Sequence, residues 1–266
     1  MSDGAERLER AFADVGRPLF VPYVMGGYPD IPSSRAQAAV LARHADILEL
    51  GIPFSDPLAD GPTIQAAGQR SLEAGTRPED VLEIAAGLRD GPPVVLMTYV
   101  NTILAAGERT FFEHAAQAGV AGVIIPDLPV DEARQVRDAA GRAGVATVAL
   151  AAPTTDESRM AAIGRAAEGF LYCVSVAGVT GGEVAVGDEL KDFLNRARRY
   201  VHVPLVVGFG IRTPEQAAQI GEIADGVVIA SQLIRLYDEA PGPEDAERAL
   251  EEFASSIVSA LAGVPA

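Results

Sequence analysis

Lysine is almost absent from this chain of 266 residues, in which Lys191 stands beside 20 arginines. Cysteine is equally scarce, because Cys173 stands alone. A single cysteine excludes an intrachain disulfide bond, so we expect a reducing, cytoplasmic location. The first residues mix acidic and basic side chains and lack the apolar run of a signal peptide. No stretch approaches about 18 uninterrupted apolar residues, so we expect no membrane-spanning segment.

Positive charge is also scarce, since the formal net charge is −16 at pH 7. The only cluster of basic residues is formed by Arg196, Arg198 and Arg199. A nucleic-acid-binding protein needs a basic face, so we expect no nucleic acid partner. An acidic surface also repels anionic substrates at long range. Any phosphate group would therefore be held by local backbone dipoles.

Short apolar runs alternate with longer amphipathic stretches along the whole chain. Nearly every run is wholly apolar, as expected for a parallel sheet that is buried on both faces. Eight strand–helix units typically take about 250 residues, so the pattern predicts a (β/α)₈ TIM barrel over residues 1–266 as a single domain. A doubly wound open sheet is the structural alternative. The predicted strands are Leu19–Val24, Asp46–Leu50, Val94–Thr98, Gly122–Ile125, Ala146–Leu150, Phe170–Val174, Leu205–Gly208 and Gly226–Ile229.

Seven stretches between these strands carry apolar residues at three- and four-residue spacing, which predicts amphipathic helices. An additional helix, Ala5–Val15, precedes the first strand and would cover the bottom of the barrel. The other predicted helices are Ser33–His44, Pro78–Arg89, Glu108–Ala118, Asp131–Ala143, Asp156–Ala167, Asp188–Arg199 and Pro214–Ile223.

Two loops differ from the rest in composition. Gly51–Pro62, after the second strand, contains three prolines and two aspartates, whereas Ala177–Gly187, after the sixth, contains four glycines. Both leave the carboxyl ends of strands, where the active sites of TIM barrels lie.

Glu49 lies one residue before the end of the predicted second strand. Neither face of a barrel strand meets bulk water, so burying a lone carboxylate there is costly unless it is paired or neutralised, and we expect it to have a function. Burial would raise its pKa, which suits a general acid or base. Asp60, in the following loop, is the second candidate carboxylate, although Asp60-Gly61-Pro62 also suits a plain turn. Asp56 competes for the same role, and the fold of the loop decides between them.

Two segments near the end of the chain resemble a phosphate cradle. TIM barrels often bind phosphate with the loops after strands seven and eight and a helix N-terminus. Gly208 and Gly210 follow strand seven and allow close approach of the backbone. Ser231 follows strand eight, opens a helix and offers a hydroxyl. Plain barrel turns would have a similar composition.

Several other residues allow two interpretations. Tyr23, Tyr99 and Tyr172 lie near strand ends, either lining a pocket for a flat apolar ring or packing in the core. Asp127 is either a turn residue or a group that anchors a catalytic neighbour. Cys173 is expected to be a buried thiol.

The scarcity of lysine and histidine excludes two kinds of aldolase chemistry. A Schiff-base aldolase needs a lysine on a barrel strand, but Lys191 falls in a predicted helix. Metal-dependent aldolases usually hold zinc with several histidines, and the three histidines here lie on helices or before a strand, so no metal site is expected. If carbon–carbon cleavage occurs, the electron sink must lie in the substrate. A protonated indole ring is one such sink, although the residues do not single it out.

The segment Leu48–Gln65, which reads Leu-Glu-Leu-Gly-Ile-Pro-Phe-Ser-Asp-Pro-Leu-Ala-Asp-Gly-Pro-Thr-Ile-Gln, resembles the signature of tryptophan synthase alpha subunits. The similarity extends from about Phe20 to about Tyr237 and includes Pro126–Pro129 and Gly178–Gly181. It implies retro-aldol cleavage of indole-3-glycerol phosphate to indole and glyceraldehyde 3-phosphate. It also implies an α₂β₂ tetramer with a beta subunit that carries pyridoxal phosphate, and no cofactor in this chain.

The resemblance also implies roles for individual residues. Glu49 would be the acid/base that protonates indole C3, and Asp60 would accept the indole N–H and stabilise the cationic intermediate. Thr180 would be a lid residue that positions Asp60. The residues implied to line the indole pocket are Tyr23, Tyr99, Ile124, Leu150 and Tyr172, and those implied to hold the phosphate are Gly181, Gly210, Ala230 and Ser231.

Two departures and two alternatives accompany the resemblance. Ala230 stands where many members carry glycine, and Tyr23 stands where some carry phenylalanine. A related barrel with the same phosphate module, such as indole-glycerol-phosphate synthase, is one alternative function, although that chemistry resembles a lysine-dependent one. The other is a subunit that mainly binds and regulates a beta partner without catalysis.

Overall fold

The computed structural model describes residues 2–174, 187–208 and 210–264, and its eight parallel strands form a closed barrel in sequence order. The barrel closes through β1 and β8, where Leu19 pairs with Gly226 and Pro22 with Ile229. The strands are β1 (Leu19–Met25), β2 (Leu48–Gly51), β3 (Val94–Met97), β4 (Val120–Ile124), β5 (Ala146–Ala151), β6 (Leu171–Val174), β7 (Leu205–Gly208) and β8 (Gly226–Ile229).

Helices surround the sheet, and several begin at a residue suited to capping the helix. Asp30 and Thr213 accept hydrogen bonds from first-turn N–H groups, and a proline follows in the first turn of each helix. The helices are α1 (Asp3–Val15), α2 (Ile31–Ala42), α3 (Pro62–Glu73), α4 (Pro78–Ala86), α5 (Val100–Ala106), α6 (Glu108–Gln117), α7 (Arg134–Arg142), α8 (Glu157–Ala166), α9 (Asp188–Arg198), α10 (Pro214–Gly221), α11 (Ser231–Glu239) and α12 (Pro243–Ala262).

Alternate residues of each strand face opposite sides of the sheet, which divides the buried apolar residues into two clusters. Leu48 and Leu50 of β2 belong to the larger cluster, between the sheet and the helices. Tyr23 and Val95, which pair with Glu49 in register, belong to the smaller cluster in the barrel lumen. Glu49 therefore shares the lumen side with Tyr23 and Val95.

The N-terminal helix α1 packs against β4 and β5 at the amino end of the barrel. The Gly4 N–H donates to the Gly144 carbonyl oxygen at 2.8 Å, and Leu8 is fully buried in the lumen cluster. This end lies opposite the carboxyl ends of the strands, so α1 leaves the barrel mouth open.

The predicted TIM barrel with its extra N-terminal helix is confirmed, and all eight predicted strands are present within two residues of their expected bounds. The sequence prediction missed α3, α5 and α12. Helix α3 begins at Pro62, the last residue of the segment that was expected to be a proline-stiffened loop. Proline is favoured in the first turn of a helix because an N–H at that position has no partner within the helix, so its loss costs nothing.

Candidate active site

Glu49 is the most deeply buried acidic side chain of the barrel mouth, with 3% of its surface exposed. Its position on β2 is rigid, because β2 pairs with β1 on one side and β3 on the other. Among the described residues, its Oε2 atom has no hydrogen-bond partner. Burial, and secondarily the nearby charge of Asp60, raises the pKa of Glu49 to about 8. The carboxyl is therefore mainly protonated at pH 7 and is a proton donor.

Asp60 reaches the same cavity from the loop between β2 and α3. The loop is held by Gln65, whose side-chain amide donates to the Asp60 carbonyl oxygen at 2.9 Å. The Asp60 side chain is half-buried, whereas Asp56 is exposed. The loop therefore turns Asp60 inward and Asp56 outward, so that Asp60 and not Asp56 lines the cavity.

The pKa of Asp60 is raised to about 6 by burial, and the hydrogen bond from Tyr99 opposes that rise. The Tyr99 hydroxyl donates to Asp60 Oδ2 at 3.1 Å and accepts from the Ala59 N–H at 3.1 Å. Asp60 is therefore mainly ionised at pH 7, whereas Glu49 is mainly neutral. Two carboxyls with different pKa values in one cavity are typical of paired acid/base groups.

Tyr99 is itself held in place from two directions. The ring of Phe54 stacks on it, with centroids 5.0 Å apart and an interplanar angle of 18°. The Val100 N–H, at the start of α5, donates to Asp127 Oδ1 at 2.9 Å. Asp127 thus fixes the helix that begins beside Tyr99, which supports its reading as an anchor.

Two glycines give Tyr23 and Tyr172 the room to point toward the barrel mouth. A Cβ on Gly51 would lie 1.9 Å from the Tyr23 hydroxyl, and a Cβ on Gly208 would lie 2.2 Å from that of Tyr172. No L side chain fits at either position unless the tyrosine moves. Burial raises the pKa of both tyrosines well above the ordinary value, so both hydroxyls stay neutral.

A cavity of about 570 Å³ opens at the mouth of the barrel. Both carboxylates line it, and most of the remaining lining is apolar. Drug-sized ligands occupy pockets of roughly 300–1,000 Å³ of similar character. The predicted residues that line the cavity are Tyr23, Glu49, Asp60, Ile124, Leu150, Tyr172 and Ala230. Tyr99, which was also predicted to line the indole pocket, is not part of the lining and contacts Asp60 instead. The lumen residues that sequence reasoning missed include Ile64, Met97 and Val148.

The predicted phosphate elements lie at the ends of β7 and β8. Gly210 has a φ of 80°, in the left-handed region that favours glycine. Helix α11 begins at Ser231, directly after β8, and Ala230 makes no side-chain cap. The Leu233 N–H donates to the Ala230 carbonyl oxygen at 3.0 Å, which leaves the Ser231 and Gln232 N–H groups as the first-turn donors available to an anion. Gly181 and Thr180, the other predicted cradle residue and the predicted lid residue, lie outside the described residues.

Within the described part of the chain, no group of three or more histidine, cysteine, aspartate or glutamate side chains is arranged to hold a metal ion. Cys173 is buried on the helix side of β6, and burial raises the pKa of its thiol. None of the helices described is long and apolar enough to span a membrane.

Known proteins of one family match nearly the whole chain. Residues 10–262 match the family model described as "Tryptophan synthase alpha chain". The tryptophan synthase alpha chain of Deinococcus radiodurans is 45% identical over 237 residues, which cover 87% of this chain and 88% of that one. The alpha chain of Geobacter sp. strain M21 is 42% identical and covers 96% of each. This chain belongs to the tryptophan synthase alpha chain family.

Solved structures of the family have the same fold. Tryptophan synthase subunit alpha from Legionella pneumophila superposes with a TM-score of 0.90 at 36% identity, over 99% of this chain and all of that one. A chain of tryptophan synthase from Mycobacterium tuberculosis, in an open form with a bound compound named BRD0059, superposes with a TM-score of 0.85 at 33% identity, over 95% and 98% of the two chains. The family is one of lyases of tryptophan biosynthesis.

Proposed function

We propose that this chain cleaves indole-3-glycerol phosphate to indole and glyceraldehyde 3-phosphate, as the alpha subunit of tryptophan synthase. The observation that carries the proposal is the pair of lumen carboxyls: Glu49, neutral and buried, and Asp60, ionised and hydrogen-bonded to Tyr99. We also propose that residues 1–266 form a single domain and that the protein is cytoplasmic.

Glu49 transfers its proton to C3 of the indole ring. The ring then carries a positive charge on its N1=C2 iminium and becomes the electron sink for the bond between C3 and the glyceryl chain. The glyceryl hydroxyl on that carbon returns a proton to the Glu49 carboxylate as the bond breaks and the aldehyde forms. Glu49 ends the cycle protonated, so one residue acts as acid and then as base.

Asp60 stabilises the cationic ring. Its carboxylate accepts the indole N–H, and the attraction strengthens as positive charge develops on the ring in a cavity that is largely apolar. Tyr99 holds this carboxylate in its ionised form. Tyr23, Ile124, Leu150 and Tyr172 bound the space for the ring.

The phosphate group is held by backbone N–H groups at the start of α11 and by Gly210, with Ser231 contributing its hydroxyl. This mode of binding suits a chain with a net charge of −16, because helix dipoles act locally whereas the overall field repels the substrate. Gly181 and Thr180 are proposed to complete the cradle and the lid.

A beta subunit is the proposed protein partner, in an α₂β₂ tetramer in which the beta subunit carries pyridoxal phosphate and this chain carries no cofactor. Two large apolar side chains near the barrel mouth support a protein contact there. Leu58, in the loop beside Asp60, is 83% exposed, and Leu104, on α5, is 50% exposed. Burying such side chains stabilises an interface.

The test is indole release from indole-3-glycerol phosphate by the purified chain, alone and with a beta subunit from the same source. Retro-aldol activity that is lost in Glu49→Gln supports the proposal. A ring-closing synthase would consume an anthranilate-derived substrate and release no indole. A purely regulatory subunit would stimulate the beta subunit without releasing indole in either condition. Light scattering on the mixture would show whether the tetramer forms.

A further inference from the structure

The face of β5 that meets the helices is less well covered than that of any other strand in the described structure. Thr147 and Ala149 point to this side, and both are partly exposed. The corresponding residues of β1 to β4 and β6 to β8 are buried. Helices α7 and α8 flank β5, so the incomplete cover marks a cleft between these two helices.

The active-site cavity extends into this cleft. Its lining includes the lumen residues Val148 and Leu150 and also the outer residues Ala149, Val136 and Ile163. A single cavity therefore meets both faces of β5. We name the part outside the sheet, lined by Ala149, Val136 and Ile163, the outer lobe.

The connection lies where the pairing of β4 with β5 stops short of the carboxyl end of β5. The pairing of these strands ends at Ile124 and Val148, whereas β5 continues to Ala151, paired with β6. Ile125 follows β4 directly, and Pro126 after it has no N–H. On the β5 side, the Ala152 N–H donates to the Thr155 hydroxyl at 3.0 Å. These two positions therefore present no free backbone N–H to a molecule that lies at this rim.

The outer lobe suits an uncharged apolar molecule. Arg137, at its wall, donates to the Ala166 carbonyl oxygen at 3.0 Å. Arg159, at its rim, pairs with Asp131 at 3.6 Å. These contacts direct both cations toward protein partners, and an apolar ring gains free energy by leaving water for the apolar part of the lobe. Apolar side chains around these groups are Val123, Ile125, Ala133, Val136, Ile163 and Ala166.

We propose that the outer lobe is a second binding site, for an uncharged bicyclic aromatic molecule such as indole. The choice of indole rests on the proposed function, because the lumen in which the ring is released and the outer lobe belong to one cavity. The lobe is distinct from the catalytic pocket, since the sheet separates Ala149 from Glu49. A phosphate-bearing substrate stays at the mouth, held near α11.

The test is binding of 5-fluoroindole, followed by ¹⁹F NMR, to the full chain saturated with a non-cleavable indole-3-alkyl phosphate that fills the lumen. The wild-type protein is expected to retain one saturable site. Ala149→Ile fills the lobe and is expected to weaken that site by roughly 10-fold or more, with Ala149→Val intermediate. Ala116→Val on α6 is the matched control, because Ala116 is a half-buried alanine on the same helix-side cluster but outside the cavity.

Thermal melting establishes that each variant is folded, and the smaller Ala149→Val tests the idea if Ala149→Ile is unstable. Absence of a second site in the wild-type protein, or one unchanged in both Ala149 variants, overturns the inference. Equal weakening in Ala116→Val does so too. The two proposals fail separately. If the protein neither binds the alkyl phosphate nor releases indole, but still binds fluoroindole at a site sensitive to Ala149, only the proposed function is contradicted. If indole release is normal but no second fluoroindole site is found, only the second binding site is contradicted.

Discussion

Replacing Glu49 by glutamine removes a titratable proton from the barrel while keeping the shape of the side chain. Glu49 has a pKa of about 8 in the folded protein against an ordinary value of 4.5. At pH 7 the carboxyl must therefore take up a proton on folding, which costs about 3 kcal/mol. Glutamine avoids this cost but still buries a polar group with an unpaired atom, a penalty of about 1–3 kcal/mol common to both side chains.

The difference in the free energy of unfolding between Glu49→Gln and the wild-type protein should increase with pH. A carboxyl whose pKa is raised on folding destabilises the folded protein most at a pH above its pKa in the folded state. The destabilisation disappears at a pH below its pKa in the unfolded state. The advantage of Glu49→Gln over the wild-type protein should therefore grow by about 1.4 kcal/mol per pH unit from pH 5 to pH 8 and then level off. Urea unfolding at pH 5.5, 6.5 and 7.5 measures it.

Asp56→Asn is the matched control for this experiment, because Asp56 is an exposed carboxylate in the loop that follows Glu49. Its effect on the free energy of unfolding should be small, because substitutions of exposed side chains usually change stability by less than about 0.5 kcal/mol. Glu49→Gln should also lower kcat for indole release by about 10²–10⁴-fold, whereas Asp56→Asn should leave the intrinsic reaction intact. A Glu49→Gln variant with near-normal kcat, or with a stability gain that ignores pH, would refute the reasoning.

Three further outcomes follow from the same site. The kcat/KM of the isolated chain should rise through about pH 6 as Asp60 ionises and fall above about pH 8 as Glu49 loses its proton; a flat pH profile would contradict the pairing. Tyr99→Phe removes a hydrogen bond that lowers the pKa of Asp60, so the acidic limb should move to higher pH, and an unmoved limb would argue against the contact. Ser231→Ala should raise KM several-fold with little change in kcat; a fall in kcat alone would assign Ser231 another role.

The sequence alone was sufficient for the architecture and for the first catalytic candidate. Eight apolar runs at strand–helix spacing predicted the barrel, because a parallel sheet covered on both faces needs apolar residues on both. Glu49 stood out because a carboxylate inside such a run has no solvent to face. The long motif around Glu49 and Asp60 then pointed to the family, which the comparisons show.

Only the tertiary structure decided what depends on contacts between distant segments. Asp56 and Asp60 look alike in the sequence. Asp60 faces inward, where it accepts a hydrogen bond from Tyr99, a residue 39 positions away in the chain. The different pKa values of Glu49 and Asp60 arise from burial and from that hydrogen bond, neither of which is a local property of the chain. The outer lobe beside β5 depends on where two helices leave a strand uncovered, and amphipathic spacing reports which residues face inward but not how completely neighbouring helices meet.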